Sequence, residues 1–158
     1  LAYDNAILPY AFLTAYPFLN DETIKQLGLT TLKFLESITI QNGALSLVGN
    51  QEWAKQGKHV SKFGQQPLDV TAMVFMYREA FRLTNKKVYF TRMIASFRWF
   101  LGENDLRLGL YDEETKGCCD GLEAYGINRN QGAESTLCFY LAYIVVSRAF
   151  NDSDQDSR

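Results

Sequence analysis

Leu68-Asp69-Val70-Thr71-Ala72-Met73-Val74-Phe75-Met76-Tyr77-Arg78-Glu79-Ala80-Phe81-Arg82-Leu83 decides the fold. Met73, Met76, Tyr77, Ala80 and Phe81 recur at three- and four-residue spacing, the period of a helix rather than a strand. Sixty-five positions earlier, Tyr3-Asp4-Asn5 opens a similar apolar segment, with Ile7, Tyr10, Ala11, Thr14, Ala15 and Phe18 at helical spacing. Sixty-five positions later, Glu134 lies in Asn130-Gln131-Gly132-Ala133-Glu134-Ser135 and opens a third segment that runs to Phe150. An acid therefore heads each of three repeats.

The same offset sets Lys33-Phe34-Leu35 against Arg98-Trp99-Phe100, after breaks at Asn20-Asp21 and Thr84-Asn85. Two helical hairpins and the first half of a third follow. The opening segments are apolar nearly all round, which predicts helices buried on several sides. The closing segments carry Lys25, Lys33 and Glu36, or Lys86, Lys87, Arg92 and Arg98, and are expected to face water. The predicted fold class is all-α: a partial α/α toroid of about five main helices with long loops between hairpins. Residues 1–150 form the expected domain and residues 151–158 a frayed tail. Asp21 and Asn85 suit helix caps, and Gly102 a helix stop.

Composition fits a folded domain. The 158 residues are 47% hydrophobic, 14% aromatic and 22% charged, enough for one core. A net charge of -2, without a clustered basic face, argues against nucleic acid as a partner. No segment reaches the roughly 20 apolar residues of a membrane span, and none has the pattern of a signal peptide. Leu1 in place of an initiator Met is expected of a chain cut from something longer, or of a processed form. Cys118, Cys119 and Cys138 are odd in number and two are adjacent, which predicts reduced thiols in a cytoplasmic protein. Trp99, Phe97, Phe100 and Tyr89 are expected in packing.

The two long links, about residues 41–66 and 103–130, are where function is expected, because long loops in compact domains usually have a job. The first holds Asn50, Trp53, the single histidine His59, and Gln66 just before Asp69. The second holds Tyr111, Asp120, Asn128, Asn130 and Gln131 before Glu134. Amides and carboxylates read sugar hydroxyls, and an aromatic ring stacks on the C–H face of a pyranose. If the hairpins surround an axis, Asp4, Asp69 and Glu134 share one rim, and two of them can act as general acid and base at a glycosidic bond. An acid in the first turn of a helix is, more often, a cap. One histidine excludes a multi-histidine metal site within the chain, no phosphate-binding glycine loop is present, and no metal or cofactor is expected.

Tyr3-Asp4-Asn5, Val48-Gly49-Asn50, Gln65-Gln66-Pro67, the run from Trp99 to Asp105, Tyr111-Asp112, Gly117-Cys118-Cys119-Asp120-Gly121-Leu122 and the run from Asn128 to Leu137 together resemble the C-terminal helical region of bacterial proteins labelled glycosyltransferases. That region is similar to the six-hairpin toroids of glycoside hydrolases and sugar epimerases. The resemblance covers about residues 3–150 and is most specific at Asn128-Arg129-Asn130-Gln131-Gly132-Ala133-Glu134-Ser135. It implies a carbohydrate-related role, an N-terminal glycosyltransferase domain as partner, and Asp4, Asn5, Gln66, Asp69, Asp120, Asn128, Asn130, Gln131 and Glu134 as pocket residues. It fixes no catalytic role. Asp69, Glu134 and Asp4 are the catalytic candidates. Asn5, Asn50, Trp53, Gln66, Tyr111, Asp120, Asn128, Asn130 and Gln131 are the substrate-binding ones. Three readings stay open: a glycosyltransferase-associated or glycosidase-like enzyme, a noncatalytic glycan-binding module, and a structural arc. A full six-hairpin toroid needs about twelve helices of average length. This chain has five, and an arc leaves apolar inner surface that favours self-association or docking.

Overall fold

The computed structural model describes residues 1–155. The chain folds into α1 (Ile7–Leu19), α2 (Glu22–Thr39), β1 (Ile40–Gln41), β2 (Ala44–Leu45), α3 (Pro67–Thr84), α4 (Lys87–Arg98), a 3-10 turn (Trp99–Leu101), β3 (Gly121–Glu123), β4 (Gly126–Asn128) and α5 (Ala133–Gln155). Local chemistry sets the boundaries. Asn20 and Asn85 adopt left-handed backbone at the C-terminal ends of α1 and α3, a conformation asparagine tolerates better than most residues. The Asp21 carboxylate accepts the Thr23 N–H at the start of α2, and Pro67 begins α3, where no amide hydrogen is needed. Gly102, at φ 103°, ends the 3-10 turn.

The 65-residue period becomes a parallel row of helices. Asp4 N–H donates to Asp69 Oδ1 at 2.8 Å, and the Tyr10 and Phe75 ring centroids are 5.7 Å apart, so α1 and α3 lie side by side with like ends together. Thr71 Oγ1 donates to the Cys138 carbonyl at 2.9 Å, and Arg78 pairs with Asp152, which continues the row to α5. Helix α2 packs on α1, and α4 packs on α3 and α5. An ion pair of 2.9 Å between Arg92 and Glu36 joins these two outer helices.

The core lies between the layers. Helix α3, at the centre of the row, buries ten residues, including Val70, Met73, Val74, Met76, Tyr77 and Ala80. Each large side chain among them contributes roughly 1.5–3 kcal/mol on burial. Trp99, Phe97, Phe100 and Tyr89 are buried as expected.

Three expectations need correction. The fold is mainly helical rather than all-α, because each long link carries a two-stranded antiparallel ribbon, β1 with β2 and β3 with β4. Burial on several sides holds for α3 alone. Helices α1 and α5 end the row and leave Leu8 64%, Phe18 84% and Leu137 59% exposed. Finally, the helical structure continues past residue 150 to Gln155, so the expected tail is helical there; its last residues, 156–158, lie outside the described residues. No helix among the described residues is long and apolar enough to cross a membrane.

Candidate functional site

The site is assembled by the second long link folding onto the end of the first. Leu122 N–H donates to the Gln65 carbonyl at 2.9 Å, and Gln65 N–H donates back to the Leu122 carbonyl at 3.1 Å. This pairing sets β3 beside Gln66 and Pro67 at the start of α3. Gln65 is fully buried and anchors the junction. Its amide nitrogen donates to the Lys62 carbonyl and to Asp105 Oδ2, and its amide oxygen accepts the Trp99 indole N–H at 2.8 Å. Asp105 also accepts the Ser46 hydroxyl and faces the Lys62 ammonium at 2.8 Å.

Asp120 shapes the turn into α5. Its Oδ1 accepts the Gly132 N–H at 2.8 Å, its Oδ2 accepts the Asn130 side-chain amide, and its own N–H donates to the Asn130 and Asn128 carbonyls. A side chain at position 132 would meet Asp120 Oδ1 at 3.0 Å, so glycine lets carboxylate and backbone approach. Burial opposes ionisation of Asp120. Hydrogen bonds from Asn130, Ser135 and Gly132 outweigh that and hold its carboxyl below the usual carboxylate range.

Between the first turns of α3 and α5 and the β3–β4 ribbon lies an open cleft of about 300 Å³. Gln66, Pro67, Asp120, Glu123, Asn128, Gly132, Ala133, Glu134 and Ser135 line it. Four of the expected site residues, Gln66, Asp120, Asn128 and Glu134, therefore meet in one place. Glu123 and Ser135 join them without having been singled out. The signal for Glu123 is Ala124-Tyr125-Gly126 between Leu122 and Ile127, a short hairpin pattern ending in glycine. Tyr125, at the tip of that hairpin, is 83% exposed.

The remaining expected residues take other places. Asp69 is 8% exposed and accepts the backbone N–H groups of Asp4 and Asn5. With Asn5 it lines a separate cavity of about 10 Å³, alongside Leu35, Leu47, Val48 and Met73, room for about one water. Burial pushes the Asp69 carboxyl up to about 7; the Asp4 charge adds to this, and the backbone N–H groups oppose it. Burial also raises Asp4, whose Oδ1 is enclosed without a hydrogen-bond partner. The Tyr3 phenol is held above its ordinary value by burial and then by the nearby Glu134, Asp69 and Asp4 carboxyls. The three acid-headed tips thus converge, but Glu134 faces the cleft while Asp69 faces inward.

Asn130 braces Asp120. Gln131 is tied to the Asp112 carboxylate and to the Thr115 hydroxyl. Tyr111 stacks on Phe139 at 4.1 Å. Asn50 packs against Gly64 in the first link, and Trp53 sits there with φ 62°. Neither is among the residues lining the cleft. His59 lies on a different groove, with Ser46, Ser61 and Lys62. Cys118, Cys119 and Cys138 are free and buried, and burial pushes the Cys118 thiol up to about 12, unsuited to a nucleophile. Among the described residues no group of three or more His, Cys, Asp or Glu side chains is placed to hold a metal ion. No family model matches this chain, and no curated protein matches it.

Proposed function

We propose that this chain is a carbohydrate-binding helical region, an arc of an α/α toroid, that holds a glycan in the cleft between the first turns of α3 and α5. The cleft lining carries the reading. Gln66 and Asn128 offer amides, Ser135 a hydroxyl, and Asp120, Glu123 and Glu134 carboxylates, within about 300 Å³. Sugar hydroxyls both donate and accept, so they need such a mixed set. No lysine or arginine is among the lining residues, which disfavours a phosphate-rich ligand. The exposed rings of Tyr3 and Tyr125 suit stacking on a sugar face at the rim.

Binding is favoured over catalysis by the placement of Asp69. A proton retained to about pH 7 is what a general acid needs, yet the group is 8% exposed and lines a cavity of one-water size, apart from the residues that line the cleft. The region then serves to grip glycan for an attached or partner glycosyltransferase. Its three free, buried thiols suit a cytoplasmic setting.

Calorimetry against a panel of neutral oligosaccharides tests the reading. A ligand is expected whose affinity falls about tenfold in Glu134→Gln and in Glu123→Gln, since neither side chain holds the fold together. Loss of no affinity in either variant, or no ligand in the panel, would sink it. Sugar release by the wild-type chain that disappears in Asp69→Asn and Glu134→Gln would replace it with the glycosidase reading.

A further inference from the structure

A second groove lies between the C-terminal end of α2, the β1–β2 ribbon and the later part of the first long link, and shares no residue with the cleft. It holds about 500 Å³, within the size range of small-molecule sites. Ile38, Leu47 and Val60 give it an apolar wall, and Gln41, His59, Ser61 and Lys62 bring hydrogen-bond donors. No Asp or Glu is among its lining residues. The cleft between α3 and α5 is the opposite case, lined by three carboxylates and no lysine or arginine.

Two of these donors are held in place without being used up. Lys62 Nζ sits 2.8 Å from Asp105 Oδ1, and the Asp105 side chain is 7% exposed against 48% for Lys62. Asp105 also accepts the Ser46 hydroxyl and the Gln65 amide, so it anchors the ammonium from beneath. An ammonium has three N–H groups, and Lys62 makes no second ion pair among the described residues. Ser61, beside it, is 8% exposed. Its backbone is pinned on both sides: the N–H donates to the Trp53 carbonyl at 3.0 Å, and the carbonyl accepts the Gly49 N–H at 2.7 Å. Its hydroxyl lines the groove and has no hydrogen-bond partner among the described residues. A hydroxyl so nearly enclosed normally has one, and the groove is the side from which a partner can come.

We propose that this groove binds a small organic molecule through an oxyanion, a carboxylate or a phosphate, held by the Lys62 ammonium and the Ser61 hydroxyl. The apolar body of the ligand lies against Ile38, Leu47 and Val60. An oxyanion only accepts hydrogen bonds, so it matches a set of donors better than a sugar hydroxyl does. Because Asp105 balances the charge of Lys62, directed hydrogen bonds and the apolar wall carry the affinity rather than net charge. The inference does not depend on glycan binding in the cleft.

Titration of the full 158-residue chain, read from its amide nuclear magnetic resonance signals, tests it with benzoate, phenyl phosphate, neutral benzamide and inorganic phosphate. Benzoate or phenyl phosphate is expected to move the signals of residues 46–47 and 59–62 saturably, and the tighter of the two identifies the oxyanion. Benzamide, of the same shape without the charge, is expected to bind at least about tenfold more weakly than benzoate. Inorganic phosphate is expected to bind more weakly than phenyl phosphate, because it leaves the apolar wall bare. Ser61→Ala removes no hydrogen bond that its side chain makes within the chain. It is expected to keep the fold and to weaken the bound anion about tenfold, the worth of one hydrogen bond to a charged acceptor. Lys62→Gln should weaken it at least as much. No saturable shift at these residues with either organic anion overturns the proposal. So does benzamide binding as tightly as benzoate, or undiminished affinity in Ser61→Ala.

Discussion

Asp69 retains its proton to about pH 7 in the folded chain, against 3.8 for an ordinary aspartate. In that window the folded state holds more protons than the unfolded one, so stability falls as pH rises. The contribution is fully present below about pH 3.8 and is lost as pH passes about 7. At about 1.4 kcal/mol per pH unit, the whole decline is on the order of 4 kcal/mol. Asn at position 69 still accepts the Asp4 N–H but does not titrate. Urea denaturation from pH 4 to 8 should therefore show a stability gap between wild type and Asp69→Asn that shifts in favour of the variant as pH rises. Asp120, whose carboxyl is held low, pulls the wild-type profile the other way, so the difference between the two proteins is the quantity to read. Packing sets a second residue-scale expectation. A Cβ at Gly49 would sit 1.8 Å from the Phe63 carbonyl oxygen, and backbone cannot yield as a flexible side chain does. Gly49→Ala is expected to cost about 2 kcal/mol or more in a thermal or urea melt.

At the scale of elements, helices were legible because their signals are local. Met73, Met76, Tyr77, Ala80 and Phe81 needed only their spacing to mark α3. Asp21 needed only its position to mark the start of α2, where its carboxylate accepts the Thr23 N–H. Asp21→Ala is expected to cost about 1 kcal/mol, measured as a lowered melting midpoint with little change in the folded far-ultraviolet spectrum. The ribbons were less legible. β1 and β2 have two residues each and β3 and β4 three, too few for alternation to be distinguished from a loop. β3 is held as much by the Gln65–Leu122 pairing across the links as by β4, and a contact across 57 positions leaves no local trace. Four cleft residues were nonetheless found, because amides and carboxylates clustered before acid-headed helices. Tyr111 looked equally suited to a sugar face, yet stacks on Phe139. An aromatic in a loop carries no mark of which surface it meets.

At the scale of the molecule, the two long links hold each other through Asp105. Its carboxylate, 7% exposed, receives the Lys62 ammonium, the Ser46 hydroxyl and the Gln65 amide from the first link. Removing it leaves three donors without their acceptor, so Asp105→Ala is expected to cost about 3 kcal/mol. Hydrogen exchange should then show early opening of residues 44–65 with α3 still protected. The Arg92–Glu36 pair joins the outer helices with both side chains partly exposed, and Arg92→Met is expected to change stability by less than about 1 kcal/mol.

The sequence by itself determined that helices would form, that α1 and α3 would break at Asn20 and Asn85, and that Asp4, Asp69 and Glu134 recur at 65-residue intervals, two of them in the first turns of α3 and α5 and Asp4 just before α1. Those properties reside in hydrogen bonds and apolar periods within a few turns of chain. Only the tertiary structure decided that Glu134 opens onto a cleft while Asp69 turns inward, since exposure depends on which distant segment lands on a side chain. For Asp69 that segment is the chain around Asp4, whose backbone N–H groups and surrounding apolar walls remove the carboxyl from water.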